Sequence, residues 1–154
     1  MTLKYKKNIA IYFLIAMFFV LDRYLKNIFN NSEKSINIIG DIFRFSFIPN
    51  KYISFSIPLS GNALNIVISS LIILLAIYII YAFRHKEYRY QIPLLFFILL
   101  GATSNILDRL QFGYVIDYLD LKYFTVFNVA DAMIFIGAVL LIFSSAKQNK
   151  KDPL

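Results

Sequence analysis

From Ala63 to Phe83 the chain runs without one charged side chain. At 1.5 Å per residue such a helix crosses about 30 Å of hydrocarbon. Buried in a water-soluble domain, it would need an apolar surround that a chain of 17.9 kDa can scarcely provide. Three more apolar stretches accompany it: Asn8 to Leu21, Ile92 to Leu107, and Val129 to Ala146. The first reaches full length by continuing to Asn27 and the third by taking in Asp108 and Arg109. The reading is a single integral membrane domain over residues 1–154: an all-α membrane protein with four transmembrane helices at about 8–27, 63–83, 92–109 and 129–146. Composition agrees. The chain is 59% hydrophobic and 16% charged, against about 45–50% and 25% in soluble domains. Disorder is excluded on the same ground. Lys4, Lys6 and Lys7 before an apolar run mimic a cleaved signal peptide, but the run ends in Asp22-Arg23-Tyr24-Leu25-Lys26 with no small-residue cleavage site. A retained helix is expected.

The net charge of +7 is unevenly placed. The N-terminus, the loop Arg84 to Tyr90 and the C-terminal tail together hold nine basic residues and two acids, Glu87 and Asp152. The remaining segments hold seven of each sign. The positive-inside rule makes the first group cytoplasmic, with both termini inside and outer segments at about 28–62 and 110–128. The charge therefore encodes orientation, and nucleic acid is not the expected partner. The tail from Gln148 to Leu154 reads as disordered.

The outer segments carry the unusual chemistry. Phe43-Arg44-Phe45-Ser46-Phe47 alternates with period 2, as a half-buried strand does, and Gly40-Asp41 before it suits a turn. A small antiparallel β-sheet on the outer, extracytoplasmic side follows, its aromatics directed to lipid or to a groove. Acids gather at Asp108, Asp117, Asp120 and Asp131. Asn128 fits an N-cap, with Asp131 at the third helical position, where free amides favour a carboxylate and hydrocarbon disfavours it. The chain has no cysteine, and its one histidine, His85, lies in the cytoplasmic loop. Hydrolysis on the outer side would therefore rest on carboxylates or hydroxyls. Two carboxylates in one site share a proton, one acting as acid and the other as base on water. Spacing offers Asp108, Asp117 and Asp120 as partners for Asp131, with Asp108 better suited to pairing with its neighbour Arg109. No ligand spacing calls for a metal, and no cofactor is expected.

At this point the motifs resemble those of the lipoprotein signal peptidase (signal peptidase II) family. Asp22 to Lys26 resembles its Asp-x-x-x-Lys motif, and Asn50 through Phe55-Ser56 its Asn-x-Gly-Ala-Ala-Phe-Ser segment. Gly101 to Arg109 resembles Gly-Gly-Ala-x-Gly-Asn-x-x-Asp-Arg, Gly113 to Tyr118 resembles Gly-x-Val-x-Asp-Phe, and Phe127 to Asp131 matches Phe-Asn-x-Ala-Asp. The resemblance implies a divergent member: an intramembrane aspartic endopeptidase of the bacterial cytoplasmic (inner) membrane, using no cofactor and working as a monomer among membrane lipids. Its substrate would be a diacylglyceryl-modified prolipoprotein, cut just before the lipidated cysteine. Asp117 and Asp131 match the catalytic pair, and Asp120 falls on no catalytic position. Asn50, Asn105, Arg109 and Asn128 match polar positions around the site, while Asp22, Lys26 and Asp108 match structural ones. The chain departs from the motifs at Tyr52-Ile53-Ser54, Leu100 and Ser104, where the family carries glycine or alanine. Two other readings stand beside this one: a non-catalytic relative that binds signal peptides or lipoproteins, and a small membrane carrier using Asp131. Retention of two mutually repelling acids argues against the binder, and their place at one membrane edge against the carrier.

Overall fold

The computed structural model describes residues 3–30, 35–52 and 61–149. Of the features singled out above, Glu33, Lys34, the motif residues Ile53 to Ser56 and the tail beyond 149 lie outside these ranges. Four α-helices and four strands follow in the order α1 (Leu3–Phe29), β1 (Ile36–Ile39), β2 (Phe43–Asn50), α2 (Gly61–Arg84), α3 (Ile92–Phe112), β3 (Val115–Leu121), β4 (Val126–Phe127) and α4 (Val129–Asn149). A 3-10 helix, Lys86–Gln91, turns the chain between α2 and α3. Gln148, read above as part of a disordered tail, still belongs to α4.

Among the described residues, three helical stretches are long and apolar enough to cross a membrane: Gly61–Arg84, Lys86–Phe112 and Val129–Gln148. On the first and third of these, many apolar side chains face outward, whereas the second is the most buried. Leu71, Ile73 and Leu74 on α2, and Phe135, Ile142 and Phe143 on α4, are exposed. In water this much apolar surface would drive aggregation, whereas in a bilayer it faces its own solvent. On α1, Phe13 and Val20 are equally exposed, but the last turns carry Asp22, Arg23 and Lys26. α3 lies against the other three helices. Its approach to α4 depends on missing side chains: a Cβ on Gly101 would lie 2.6 Å from the Ala130 carbonyl oxygen, and one on Gly137 would lie 2.6 Å from Ile98 Cγ1. Without a hydrophobic drive between helices in lipid, such close backbone packing holds them together.

The strands form one antiparallel sheet in the order β1-β2-β3-β4. The turn at Gly40-Asp41 is present, with Gly40 at φ 49° and Ile42 N–H donating to the Ile39 carbonyl at 2.9 Å. The alternating aromatics of β2 are not simply spread on lipid. Phe45 stacks on Phe29 of α1 (5.2 Å between ring centres) and lies 6.4 Å from Tyr118 of β3. The sheet is also larger than the alternation over 36–48 implies, because the second outer segment supplies β3 and β4. Val115, Ile116, Asp117 and Tyr118 are all buried, so β3 is covered on both faces and shows no alternation. Gly113 makes the reversal that starts β3. At φ 79° it takes the left-handed conformation that ends α3, its N–H closing on the Arg109 carbonyl.

Candidate functional site

The start of α4 builds the first half of the site. Asn128 Oδ1 accepts the Asp131 N–H at 2.8 Å, and Asp131 Oδ2 accepts the Asn128 N–H at 3.2 Å. This is a reciprocal capping box, which fixes the Asp131 side chain against its own helix terminus. With its oxygen committed, the Asn128 amide nitrogen turns outward and donates to Asp117 Oδ1 at 2.7 Å. One asparagine thus joins the two aspartates, one from the strand β3 and one from the first turn of α4.

The second half comes from the sheet. Ile48 pairs with Asp117 and Asn50 with Val115, so Asn50 ends β2 beside the aspartate. Its Nδ2 donates to Asp117 Oδ2 at 2.9 Å, while its Oδ1 accepts the Tyr52 N–H at 3.0 Å. From α3, Asn105 Nδ2 donates to Asp131 Oδ1 at 2.7 Å. All four carboxylate oxygens therefore accept an N–H. Burial nevertheless pushes the Asp117 carboxyl up to about 7, with the charge of Asp131 adding to the rise and the two asparagine donors opposing it. Asp131 stays partly exposed while Asp117 and Asn128 are buried.

Of the two partners open to Arg109, Asp108 or a loop carbonyl, it takes the carbonyl. Its guanidinium donates to the Tyr52 carbonyl at 2.9 Å, and its buried Nε has no partner. Neighbouring residues on a helix point about 100° apart, and Asp108 faces α1 instead. There it pairs with Arg23 and, at 2.8 Å, with Lys26, and it accepts the Ile116 N–H at 3.2 Å. Lys26 also meets Asp22 at 3.1 Å and Asn105 Oδ1 at 2.7 Å. Asp22 accepts from Ser104 Oγ (2.6 Å), the Tyr118 hydroxyl (2.9 Å) and the Ala130 N–H (3.0 Å). The Asp22–Lys26 motif thus ties α1 to α3, β3 and the first turn of α4. Burial and the Asp22 charge hold the Tyr118 hydroxyl above the usual phenol range, so it remains a donor.

Asp120 stands apart. It pairs across the strands with Arg44, its register partner. Arg23, Ser104 and Tyr118 were not expected around the site. Ser104 was legible only as a departure from glycine, and its hydroxyl uses that change to reach Asp22. Among the described residues no three His, Cys, Asp or Glu side chains gather into a metal-sized group.

A bundle of membrane-grade helices, capped at one end by a sheet that brings a strand aspartate to a helix-terminal one, defines a helical membrane protein with a paired-carboxylate site. A bacterial membrane enzyme solved by the in meso method at 2.3 Å resolution shares the fold, with a TM-score of 0.77, 23% identity, and 94% of this chain and 92% of that one covered. A second bacterial membrane enzyme, solved at 1.9 Å, gives 0.71 at 24% identity, covering 88% and 91%. The family model of signal peptidase (SPase) II matches residues 14–147. Proteins named lipoprotein signal peptidase from Halothermothrix orenii and Caldicellulosiruptor bescii are each 33% identical, covering 91% and 92% of this chain and 97% and 95% of their own lengths. The chain belongs to the signal peptidase II family, and it is a peptidase.

Proposed function

We propose that the chain removes the signal peptide from diacylglyceryl-modified prolipoproteins, with Asp117 and Asp131 as its catalytic pair. The observation that carries this reading is the junction at Asn128, which holds a buried and a partly exposed carboxylate to one residue. One aspartate takes a proton from the attacking water, and the other donates to the carbonyl oxygen or the leaving amine. The bond cut is the one just before the lipidated cysteine. The Asp117 carboxyl, lifted to about 7, suits a group that exchanges protons near neutrality.

Asn50, Asn105 and Asn128 hold the carboxylates, and the peptide approaches from the partly exposed side of Asp131. Arg109, with its Nε unpaired and its fork on the Tyr52 carbonyl, braces the segment that follows Asn50 and offers a donor to substrate backbone. Asp22, Lys26 and Asp108 are structural. In this reading α1 is a fourth span, the chain is one integral domain, and the sheet and site lie on the extracytoplasmic face of the bacterial cytoplasmic membrane. Both termini face the cytoplasm, and the protein works as a monomer among membrane lipids. The test is a gel-shift assay on a lipidated prolipoprotein with purified wild type and Asp131→Asn. Cleavage by the wild type alone supports the peptidase. Cleavage by neither favours a binder or a carrier, and cleavage by both removes Asp131 from the chemistry.

A further inference from the structure

The three asparagines around the carboxylates are held with their NH2 groups inward, but not by the same kind of partner. Asn50 Oδ1 is held by the Tyr52 N–H, and Asn128 Oδ1 by the Asp131 N–H. Asn105 Oδ1 is held by the ammonium of Lys26 at 2.7 Å. An ammonium only donates, so it admits only the oxygen of the amide and forces the nitrogen toward Asp131. Lys26 is itself fully buried and pinned by Asp22 and Asp108, so it has little freedom to leave that position. A cation at one end of the amide also polarises it and strengthens the N–H at the other. Asp117 has no amide whose oxygen an ammonium holds: the oxygens of Asn50 and Asn128 are held by backbone N–H groups, and where the Asn128 NH2 reaches Asn105 Oδ1 at 3.3 Å it meets that oxygen as a second donor beside the ammonium, not as a group the ammonium polarises.

We infer that Lys26 is a positioning residue which, through Asn105, makes Asp131 the ionised member of the pair and so the base toward water, leaving the shared proton on Asp117. The inference rests on the catalytic reading above and adds the division of labour within it. The charged and titratable groups around Asp131 are Asp117 and Tyr118 from β3, Arg109 and Asp108 from α3, and Asp22 and Lys26 from α1. Of the cations, only Lys26 reaches Asp131 through a hydrogen-bonded side chain.

The test measures kcat/KM against pH on a lipidated prolipoprotein for wild type, Lys26→Gln, Asn105→Ala and the double variant. Loss of a hydrogen bond to a charged group corresponds to a roughly 10- to 100-fold fall in kcat/KM. Both single variants are expected to show it, with the acid limb of the profile moved to higher pH. The double variant should lose no more than Asn105→Ala alone, since Lys26 acts through that amide. Additive losses, or an acid limb that stays in place, overturn the inference. If Lys26→Gln fails to accumulate, the charge-balanced pair Lys26→Met with Asp108→Asn takes its place, compared with Asp108→Asn alone. Only the pair carrying the lysine change should move the limb, and equal profiles overturn the inference. Full activity in Asp131→Asn would instead remove the catalytic reading itself, so the two failures are distinct.

Discussion

At the residue scale, the two aspartates that share Asn128 differ in kind from the one that does not. Asp117→Asn and Asp131→Asn should each abolish prolipoprotein processing while the protein still accumulates in membranes, as read by immunoblot of membrane fractions. Asp120→Asn should keep substantial activity, because the buried Asp120 is paired with Arg44 across the strands and not with Asn128. An equal loss there would transfer the catalytic role away from Asp117. The raised Asp117 carboxyl also has a sign for stability. A folded-state value of about 7 exceeds the unfolded one of 3.8, so the native state binds the proton more tightly. Its contribution is complete below about 3.8 and is lost as pH rises through about 7. Thermal unfolding in detergent between pH 4 and pH 8 should show wild type losing stability across that window relative to Asp117→Asn. A flat difference would contradict it.

At the element scale, the site depends on where α3 stops and α4 starts. Gly113 sets the first by its left-handed φ of 79°. Gly113→Ala should cost about 1 kcal/mol, measured by the unfolding midpoint, since a Cβ there meets backbone strain and no neighbour. Asn128 caps the second, and Gly101 sets how closely its first turn lies on α3. Gly101→Ala brings a Cβ onto the Ala130 carbonyl one residue before Asp131, with no flexible side chain to give way. Overpacking of this kind costs about 1–3 kcal/mol, and because it displaces the turn bearing Asp131 the fall in kcat should exceed the fall in stability. Equal effects on both would count against that placement. The elements were unequally legible beforehand. β2 declared itself through the period-2 spacing of Phe43, Phe45 and Phe47, whose rings pack on Phe29, Tyr118 and Tyr114. β3 did not, since Val115 to Tyr118 are buried on both faces and period 2 is erased. Asn128 as the cap of α4 was readable from spacing alone, because capping is a local geometry. The charged partners of Asp108 were not, because they sit on α1 and arrive only through helix packing.

At the scale of the whole molecule, orientation is the remaining variable. The chain has no cysteine, so a single introduced thiol reports its side of the membrane without background. Tyr123, 82% exposed beyond β3, and Glu87 in the turn between α2 and α3 stand at opposite ends of the bundle. In spheroplasts, an impermeant maleimide should label Tyr123→Cys directly and Glu87→Cys only after permeabilisation. The reverse pattern would invert the topology.

The sequence by itself determined that this chain is a membrane protein and which family it resembles. Apolar length and the spacing of short motifs are one-dimensional quantities, and the family match over residues 14–147 agrees with both. By the absence of cysteine and the place of the one histidine in the segment between the second and third apolar stretches, it also pointed to carboxylates or hydroxyls for any hydrolysis. Only the tertiary structure decided which groups share a hydrogen bond. Asp117 meets Asn128 and Asn50, Lys26 meets Asn105, and Arg109 meets the Tyr52 carbonyl and not Asp108. Those contacts join residues from α1, β2, β3, α3 and α4, and no local spacing encodes them. They follow from the way buried polar groups, deprived of water, must find partners on whatever element the packing brings near.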